Sequence, residues 1–382
     1  MPKLNSGRVF LGAVVGVLAL AVLPLLAAGP ELDKADPSSV AAGSTLKARK
    51  PEPTYKIQVG MDGEVYPVFA NYASLQKPGD RKWGTVAVTV TNSSDATLRQ
   101  HISARIEGWS DEEIQIIELR AGEVRTCLFA PAFLPRLYHN REIAAATALV
   151  NVRDRSGNLL FTATAPVRLR SADDMYWGRN FKFAPFIASW VTPHEAGVET
   201  LLSRAKEFAP GRRLPGYVPG LKPALQARST YEQVNAIYRA LQAQGLSYVK
   251  SSLTFGEHSD ASERVRMPRE SLNQVSANCI DGAVMYASLF ENLGMDPVVL
   301  LVPGHAYVGV RVAPGSLNYI FIETSLTGRA SFAAAVSAAE RALHSRRASE
   351  VIRIPINSAR QAGIYPMPSY TQSAENDLAS RR

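Results

Sequence analysis

Short alternations of apolar and polar residues fill the first half of the chain. They recur over 84–91, 98–106, 113–119, 143–152 and 159–169, with polar turn sequences at 92–95 and 154–158 between neighbouring runs. Alternation with period two is typical of a strand that buries one face, and strands at this spacing are typical of antiparallel sandwiches. The pattern therefore predicts an all-β sandwich of immunoglobulin-like type over residues 54–172.

Helical spacing takes over in the second half. Apolar positions recur every three or four residues over 198–208, 230–244, 279–293 and 332–343, and short β-branched runs cover 298–302, 305–312, 319–324 and 351–356. Mixed periods of this kind predict an α+β unit over residues 173–370. Its first segment, 173–190, is dense in aromatic residues, and we expect it to pack at the seam between the two parts. The loop 211–223 is a candidate border of the active site.

Two of these runs predict a hairpin that brings a histidine to a carboxylate. The segment 313–316 reads Ala-Pro-Gly-Ser, a turn sequence between the strands 305–312 and 319–324. If the turn is centred near Gly315, the numbers of facing residues sum to about 630 in antiparallel pairing. Glu323 then lies beside Tyr307 and diagonal to His305, close enough for contact.

Cys279 completes a candidate catalytic set with these two residues. A cysteine attacks carbonyl groups as its thiolate, and the start of a helix favours that anion. We interpret Cys279 as the nucleophile, His305 as the general base and then acid, and Glu323 as the acceptor that orients the imidazole. Gln274 is a candidate donor to the oxyanion, alongside the amide of Cys279.

The three motifs resemble those of the transglutaminase-like superfamily. That family carries its cysteine at an N-C-x-D-like helix start, its histidine in a G-H-A-aromatic strand and its acid in a D-x-T-like strand. Here the corresponding residues read Asn-Cys-Ile-Asp at 278–281, Gly-His-Ala-Tyr at 304–307 and Glu-Thr at 323–324, within roughly residues 230–330. The resemblance implies a papain-like α+β core and chemistry at amide or ester carbonyls, by hydrolysis or by transfer to an amine. Glu323 departs from the family, which usually has Asp at this position.

Other interpretations compete with this one. A lone cysteine on a helix is commonly a small buried hydrophobe, and a degenerate member of the family would be a non-catalytic scaffold that binds peptide or protein. The chain has two cysteines, so a disulfide between Cys127 and Cys279 is a further alternative; we expect instead that Cys127 is a buried strand residue. Asp281 is predicted to cap the first helical turn rather than to act in catalysis.

The N-terminal sequence predicts export. Lys3 and Arg8 precede an uncharged run over residues 9–28, about long enough to span a bilayer. Residues 1–30 are therefore a signal peptide or a membrane anchor, 31–53 a flexible tether and 371–382 a disordered tail. We expect a protein of the bacterial periplasm or cell envelope that is tethered to the inner membrane.

Composition narrows the partners. The formal net charge is +8, but the basic residues are scattered among acidic ones, without a basic-aromatic strip or a Gly-rich phosphate loop. Nucleic acid and nucleotides are therefore poor candidates. The histidines other than His305 lack metal-ligand spacing, so we expect no metal and no cofactor. The expected partners are a peptide or protein substrate in the envelope and a protein that meets the β-sandwich.

Overall fold

The computed structural model describes residues 52–250 and 262–369. The predicted export segment, most of the predicted tether and the predicted tail lie outside the described residues.

Two sheets enclose a common core in the first part of the chain. The antiparallel sheet β1-β3-β6 faces a five-stranded sheet of order β2-β8-β7-β4-β5, in which only the short β2–β8 pair is parallel. Alternate residues of β3 and β4 fill the space between them, because each strand buries one face. The elements are β1 (Thr54–Val59), β2 (Glu64–Val65), α1 (Pro67–Ser74), β3 (Val86–Thr91), β4 (Leu98–Ile106), β5 (Glu113–Leu119), β6 (Val124–Phe129), α2 (Pro135–His139), β7 (Ala144–Arg153) and β8 (Leu159–Leu169).

The second part is built around a four-stranded antiparallel sheet of order β15-β14-β13-β16. Val299 and Leu301 of β13 join the core that contains α6, while Val298 and Leu300 join a smaller core with Ala339 of α7. The two helices therefore cover opposite faces of the sheet. The elements are β9 (Asp174–Tyr176), α3 (Ala196–Ala205), α4 (Pro223–Ala243), β10 (Ser247–Tyr248), β11 (Ser262–Arg264), α5 (Pro268–Gln274), β12 (Ser276–Ala277), α6 (Cys279–Asn292), β13 (Pro297–Val302), β14 (His305–Arg311), β15 (Tyr319–Ile322), α7 (Phe332–His344), β16 (Ile352–Pro355) and α8 (Ile356–Gln361).

Aromatic side chains connect the two parts. Phe183 and Phe186 pack against Phe69 of α1, with ring centroids 5.1 and 4.8 Å apart, and Phe183 also meets Trp83 at 5.6 Å. These residues belong to the core that contains α6. The dense aromatic segment therefore packs against the first part of the chain, as its composition predicts.

The fold is mixed α+β with several antiparallel sheets, as predicted. Each of the five strands predicted in the first part is present, with ends within two residues of the prediction. Helix α4 begins at Pro223 rather than at 230, because Pro at the first helical position starts a helix seven residues upstream of the apolar stripe. Within the described part of the chain, no helix is both long and apolar enough to cross a bilayer.

Candidate active site

Helix α6 presents Cys279 as its first residue. Asn278 caps the helix, because its Oδ1 accepts the backbone N–H of Asp281 at 2.8 Å, and a carboxylate oxygen of Asp281 accepts the N–H of Asn278 at 3.3 Å. This reciprocal capping box fixes the backbone on both sides of the cysteine. The N–H of Cys279 is among the first-turn amides that have no partner within the helix. The predicted capping role of Asp281 is confirmed.

Asp281 also ties the helix start to the preceding chain. Its Oδ1 accepts the backbone N–H of Arg266 at 2.8 Å, and the Arg266 guanidinium lies 3.6 Å from its Oδ2. Burial raises the pKa of Asp281, and the hydrogen bonds from Arg266 and Asn278 oppose that rise. The cap of the thiol helix is thus a fully buried carboxyl group held by several donors.

The hairpin has the predicted register. Val308 faces Ile322 and Arg311 faces Tyr319 across the β14–β15 pair. The N–H of Ser316 donates to the carbonyl of Ala313, which closes the predicted turn.

This register brings His305 to Glu323. The Nε2 atom of His305 lies 2.8 Å from Oε2 and 3.0 Å from Oε1 of Glu323. Glu323 is held in turn by Ser325, whose hydroxyl and backbone N–H both donate to Oε1. The predicted contact between the histidine and the carboxylate is present.

His305 links the carboxylate to the thiol. Burial lowers the pKa of His305, but hydrogen bonds to Cys279 and Glu323 and the charges of both partners outweigh it and raise the pKa to about 9. Since Nε2 faces Glu323, Nδ1 is the ring atom left for the thiol. Burial also raises the pKa of Glu323, but the hydrogen bond and charge of His305 and the bonds from Ser325 lower it below its usual value. The imidazole is therefore held as its cation at neutral pH.

A glycine allows the acid and the thiol to lie close together. A Cβ on Gly282 would lie 2.7 Å from Oγ1 and 2.9 Å from Cβ of Thr324, the residue after Glu323. The Thr324 hydroxyl donates to the carbonyl of Cys279 at 3.4 Å. The end of β15 and the first turn of α6 are thus in direct contact because position 282 has no side chain.

Gln274 lies at the end of α5, with its side chain exposed. Its Oε1 accepts from the Arg266 guanidinium at 3.2 Å, and the same guanidinium donates to the hydroxyl and the carbonyl of Ser276. This contact places Gln274 near the chain that leads into Cys279. Its role as an oxyanion donor stays a prediction.

Two aromatic neighbours of the site were not predicted from the sequence. The ring of Tyr307 meets His305 edge-on, with centroids 4.7 Å apart. Tyr248 lies on β10, which pairs in parallel with β12 so that Tyr248 faces Ala277, two residues before the cysteine. Strands of two residues are too short to give a periodic signal, and for this reason the sequence did not predict the β10–β12 pair.

The loop 211–223 does not border the cysteine at Gly216. There its backbone packs on the carbonyl oxygen of Leu293, which follows the last residue of α6. The helix has 14 residues, so this contact is about 20 Å from Cys279. The expectation of an active-site border was wrong here, because composition identifies a loop but not the helix end that it meets.

Both cysteines are free and buried. Cys127 lies on β6, where it faces Val88, and is confirmed as a buried strand residue. The alternative of a disulfide with Cys279 is therefore wrong. In the described segments, no three His, Cys, Asp or Glu side chains are grouped in a way that could hold a metal ion.

Comparisons with known proteins give no relative. No protein-family model matches the sequence, and no curated protein is similar to it at a significant level.

Proposed function

We propose that the chain is a cysteine-dependent acyl-transfer enzyme of transglutaminase-like type, acting on an amide through Cys279, His305 and Glu323. The observation that carries this proposal is the pairing of one imidazole with both the thiol and the carboxylate. A base beside a thiol, itself oriented by a third group, is the general arrangement of an activated nucleophile. It needs neither metal nor cofactor.

The geometry supports a two-step reaction. The thiolate of Cys279 attacks the carbonyl carbon of the amide, and an S–C bond forms while the carbonyl oxygen becomes an anion. When the C–N bond breaks, the imidazolium of His305 gives its proton to the leaving amine, and a thioester remains. Water or a second amine then attacks the thioester, His305 takes a proton from it, and the thiolate is released.

The oxyanion needs donors at the moment of attack. The N–H of Cys279 is available for this role because it is not used within the helix. Gln274 is the proposed second donor, through its side-chain amide. Glu323 acts earlier in the chain of contacts, by fixing the ring of His305 and favouring its cationic form.

The finer description of the fold belongs to the same proposal. The α6 helix and the β13–β15 sheet correspond to a papain-like core, and the two sheets of residues 54–172 to an immunoglobulin-like sandwich. In this proposal the enzyme is exported to the bacterial envelope and attached to the inner membrane by residues 9–28. Its substrate is a peptide or protein of the envelope, and the sandwich binds a protein partner.

One observation favours a second function. Cys279 is fully buried, with 0% of its surface exposed, whereas the side chain of His305 is 20% exposed. Burial of the thiol is what a degenerate, non-catalytic scaffold that binds peptide or protein would show. Reactivity of Cys279 in solution separates the two functions.

The decisive experiment measures the rate of alkylation of each cysteine by iodoacetamide at neutral pH, with the products identified by peptide mapping. Cys127 is the internal control, because it is buried on a strand and burial raises its pKa. Under the enzyme proposal Cys279 reacts faster than Cys127, and His305→Ala slows Cys279 by about tenfold or more while it leaves Cys127 unchanged. If Cys279 is as inert as Cys127 in the native protein, the scaffold function is favoured.

A further inference from the structure

A turn beside the thiol helix is held from two sides. The Tyr238 hydroxyl of α4 lies 2.9 Å from the carbonyl oxygen of Leu326 and 3.0 Å from that of Ala330. On the other side, the hydroxyls of Thr327 and Tyr286 are 3.0 Å apart, and Tyr286 belongs to α6. The turn 326–330 is therefore fixed relative to the helix that carries Cys279.

The same turn packs tightly on β10. A Cβ on Gly328 would overlap the carbonyl oxygen of Leu246, the residue before β10. Because β10 pairs with β12, which leads directly into Cys279, the residue after Gly328 lies close to the thiol. That residue is Arg329, and it is exposed.

The charge of Arg329 reaches the site without a counter-ion. Burial raises the pKa of Tyr248, Cys279 and Glu323 add to the rise, and the Arg329 guanidinium lowers it, so all three groups lie near one phenol. Among residues 52–250 and 262–369, no carboxylate forms an ion pair with Arg329. Glu323, the carboxylate nearest to the site, has its charge matched by the imidazolium of His305.

We infer that Arg329 forms a subsite for an anionic group next to Cys279, so that the acyl donor carries a carboxylate close to the carbonyl that the thiol attacks. This inference rests on the proposed function and narrows its substrate to acidic peptides. Arg suits the role because its planar guanidinium binds a carboxylate through two hydrogen bonds. Its exposure leaves these donors accessible to a substrate.

Two alkylating agents that differ by one charge test the subsite. Iodoacetate and iodoacetamide both transfer a CH₂ group to the thiolate with loss of iodide, but only iodoacetate carries a carboxylate. The quantity to measure is the ratio of the two rates at Cys279 in the full-length protein. The imidazolium of His305 affects this ratio equally in every variant, so a change of the ratio on substitution of Arg329 reports the guanidinium alone.

Three variants give the expected result. Arg329→Gln lowers the iodoacetate-to-iodoacetamide ratio by about three- to tenfold, because a unit charge acts across several ångströms of partly solvated space. Arg329→Lys keeps most of the ratio, and Arg329→Glu lowers it beyond the Gln variant. Arg155→Gln is the matched control, since Arg155 is an exposed arginine in the turn between β7 and β8; its ratio equals that of wild type.

The outcomes separate the subsite from the proposed function. A reactive Cys279 whose ratio is the same in wild type, Arg329→Gln and Arg329→Glu overturns the subsite and leaves the enzyme proposal standing. A Cys279 that reacts with neither reagent overturns both. A general loss of folding in the variants would slow or speed the two reagents together, and the ratio would not change as predicted.

Discussion

Substitution of Glu323 by Gln tests whether the carboxylate controls the charge of the imidazole. Gln is close to Glu in size, and its side-chain oxygen can still accept from Nε2 of His305 and from Ser325. What it removes is the negative charge 2.8 Å from the ring. The variant therefore separates electrostatic stabilisation of the imidazolium from simple positioning of the ring.

The magnitude follows from the pKa of His305, which rises from 6.5 to about 9. That rise corresponds to roughly 3 kcal/mol in favour of the cation. Cys279 and Glu323 share it, and an opposite charge at hydrogen-bond distance accounts for about one to two pH units of such a rise. We expect the pKa of His305 to fall by that amount in Glu323→Gln.

The pH dependence of stability has a defined sign. A histidine with a raised pKa stabilises the fold fully below its unfolded value of 6.5, and this contribution disappears as the pH rises through about 9. Glu323, whose pKa is lowered from 4.5, contributes above 4.5 and loses its contribution as the pH falls below that value. Glu323→Gln therefore costs most stability between about pH 4.5 and 6.5, by about 1.5–2.5 kcal/mol, and almost none above pH 9.

The assays are an NMR titration of the His305 ring and urea denaturation at several pH values. Glu340→Gln is a matched control, because Glu340 is an exposed carboxylate on α7. Iodoacetamide alkylation of Cys279 should slow in Glu323→Gln, since a less stable imidazolium supports the thiolate less. An unchanged pKa of His305, or a stability loss that is the same at every pH, would refute the electrostatic role and leave Glu323 as a packing residue.

Three further substitutions test other contacts of the site. Gly282→Ala places a Cβ 2.7 Å from Oγ1 of Thr324; we expect a loss of about 1–3 kcal/mol in urea denaturation together with slower alkylation of Cys279, and an unchanged midpoint would contradict the close contact. Gln274→Ala should slow acylation of Cys279 by p-nitrophenyl acetate by about tenfold if it donates to the oxyanion, and unchanged kinetics would remove it from that role. Burial raises the pKa of Glu263 to about 8, so wild type should lose stability as the pH rises from 4.5 to 8, and Glu263→Gln should gain about 2–4 kcal/mol on wild type over that range in urea midpoints; parallel pH profiles would argue against a buried acid.

Local patterns predicted the parts of the site that depend on neighbouring residues in the chain. The capping box needs only Asn278 and Asp281, and the hairpin register needs only the turn at 313–316. Both rest on geometry within a few residues, and both were confirmed. The contact between His305 and Glu323 followed from the register alone.

Contacts between distant segments were not accessible in the same way. Nothing in the sequence near Tyr248 or Arg329 shows that β10 and the turn 326–330 meet beside Cys279. Their approach depends on Gly328 and on hydroxyls of α4 and α6, which lie far apart in the chain. Periodicity identifies the buried face of a helix, but it does not identify the loop that packs on its end.

The longer acid at position 323 fits the site because it has two sets of partners. A carboxylate at the end of β15 must reach His305 and also satisfy the start of the next turn, where it accepts from the N–H and the hydroxyl of Ser325. Oε1 serves Ser325 and His305, while Oε2 is directed to His305 at 2.8 Å. The additional methylene of Glu is thus compatible with the imidazole contact, since Ser325 holds the carboxylate in place. An Asp at this position would have to choose between the two partners unless the backbone moved, so Glu323→Asp should weaken either the pairing with His305 or the cap of the turn, and the pKa of His305 would show which.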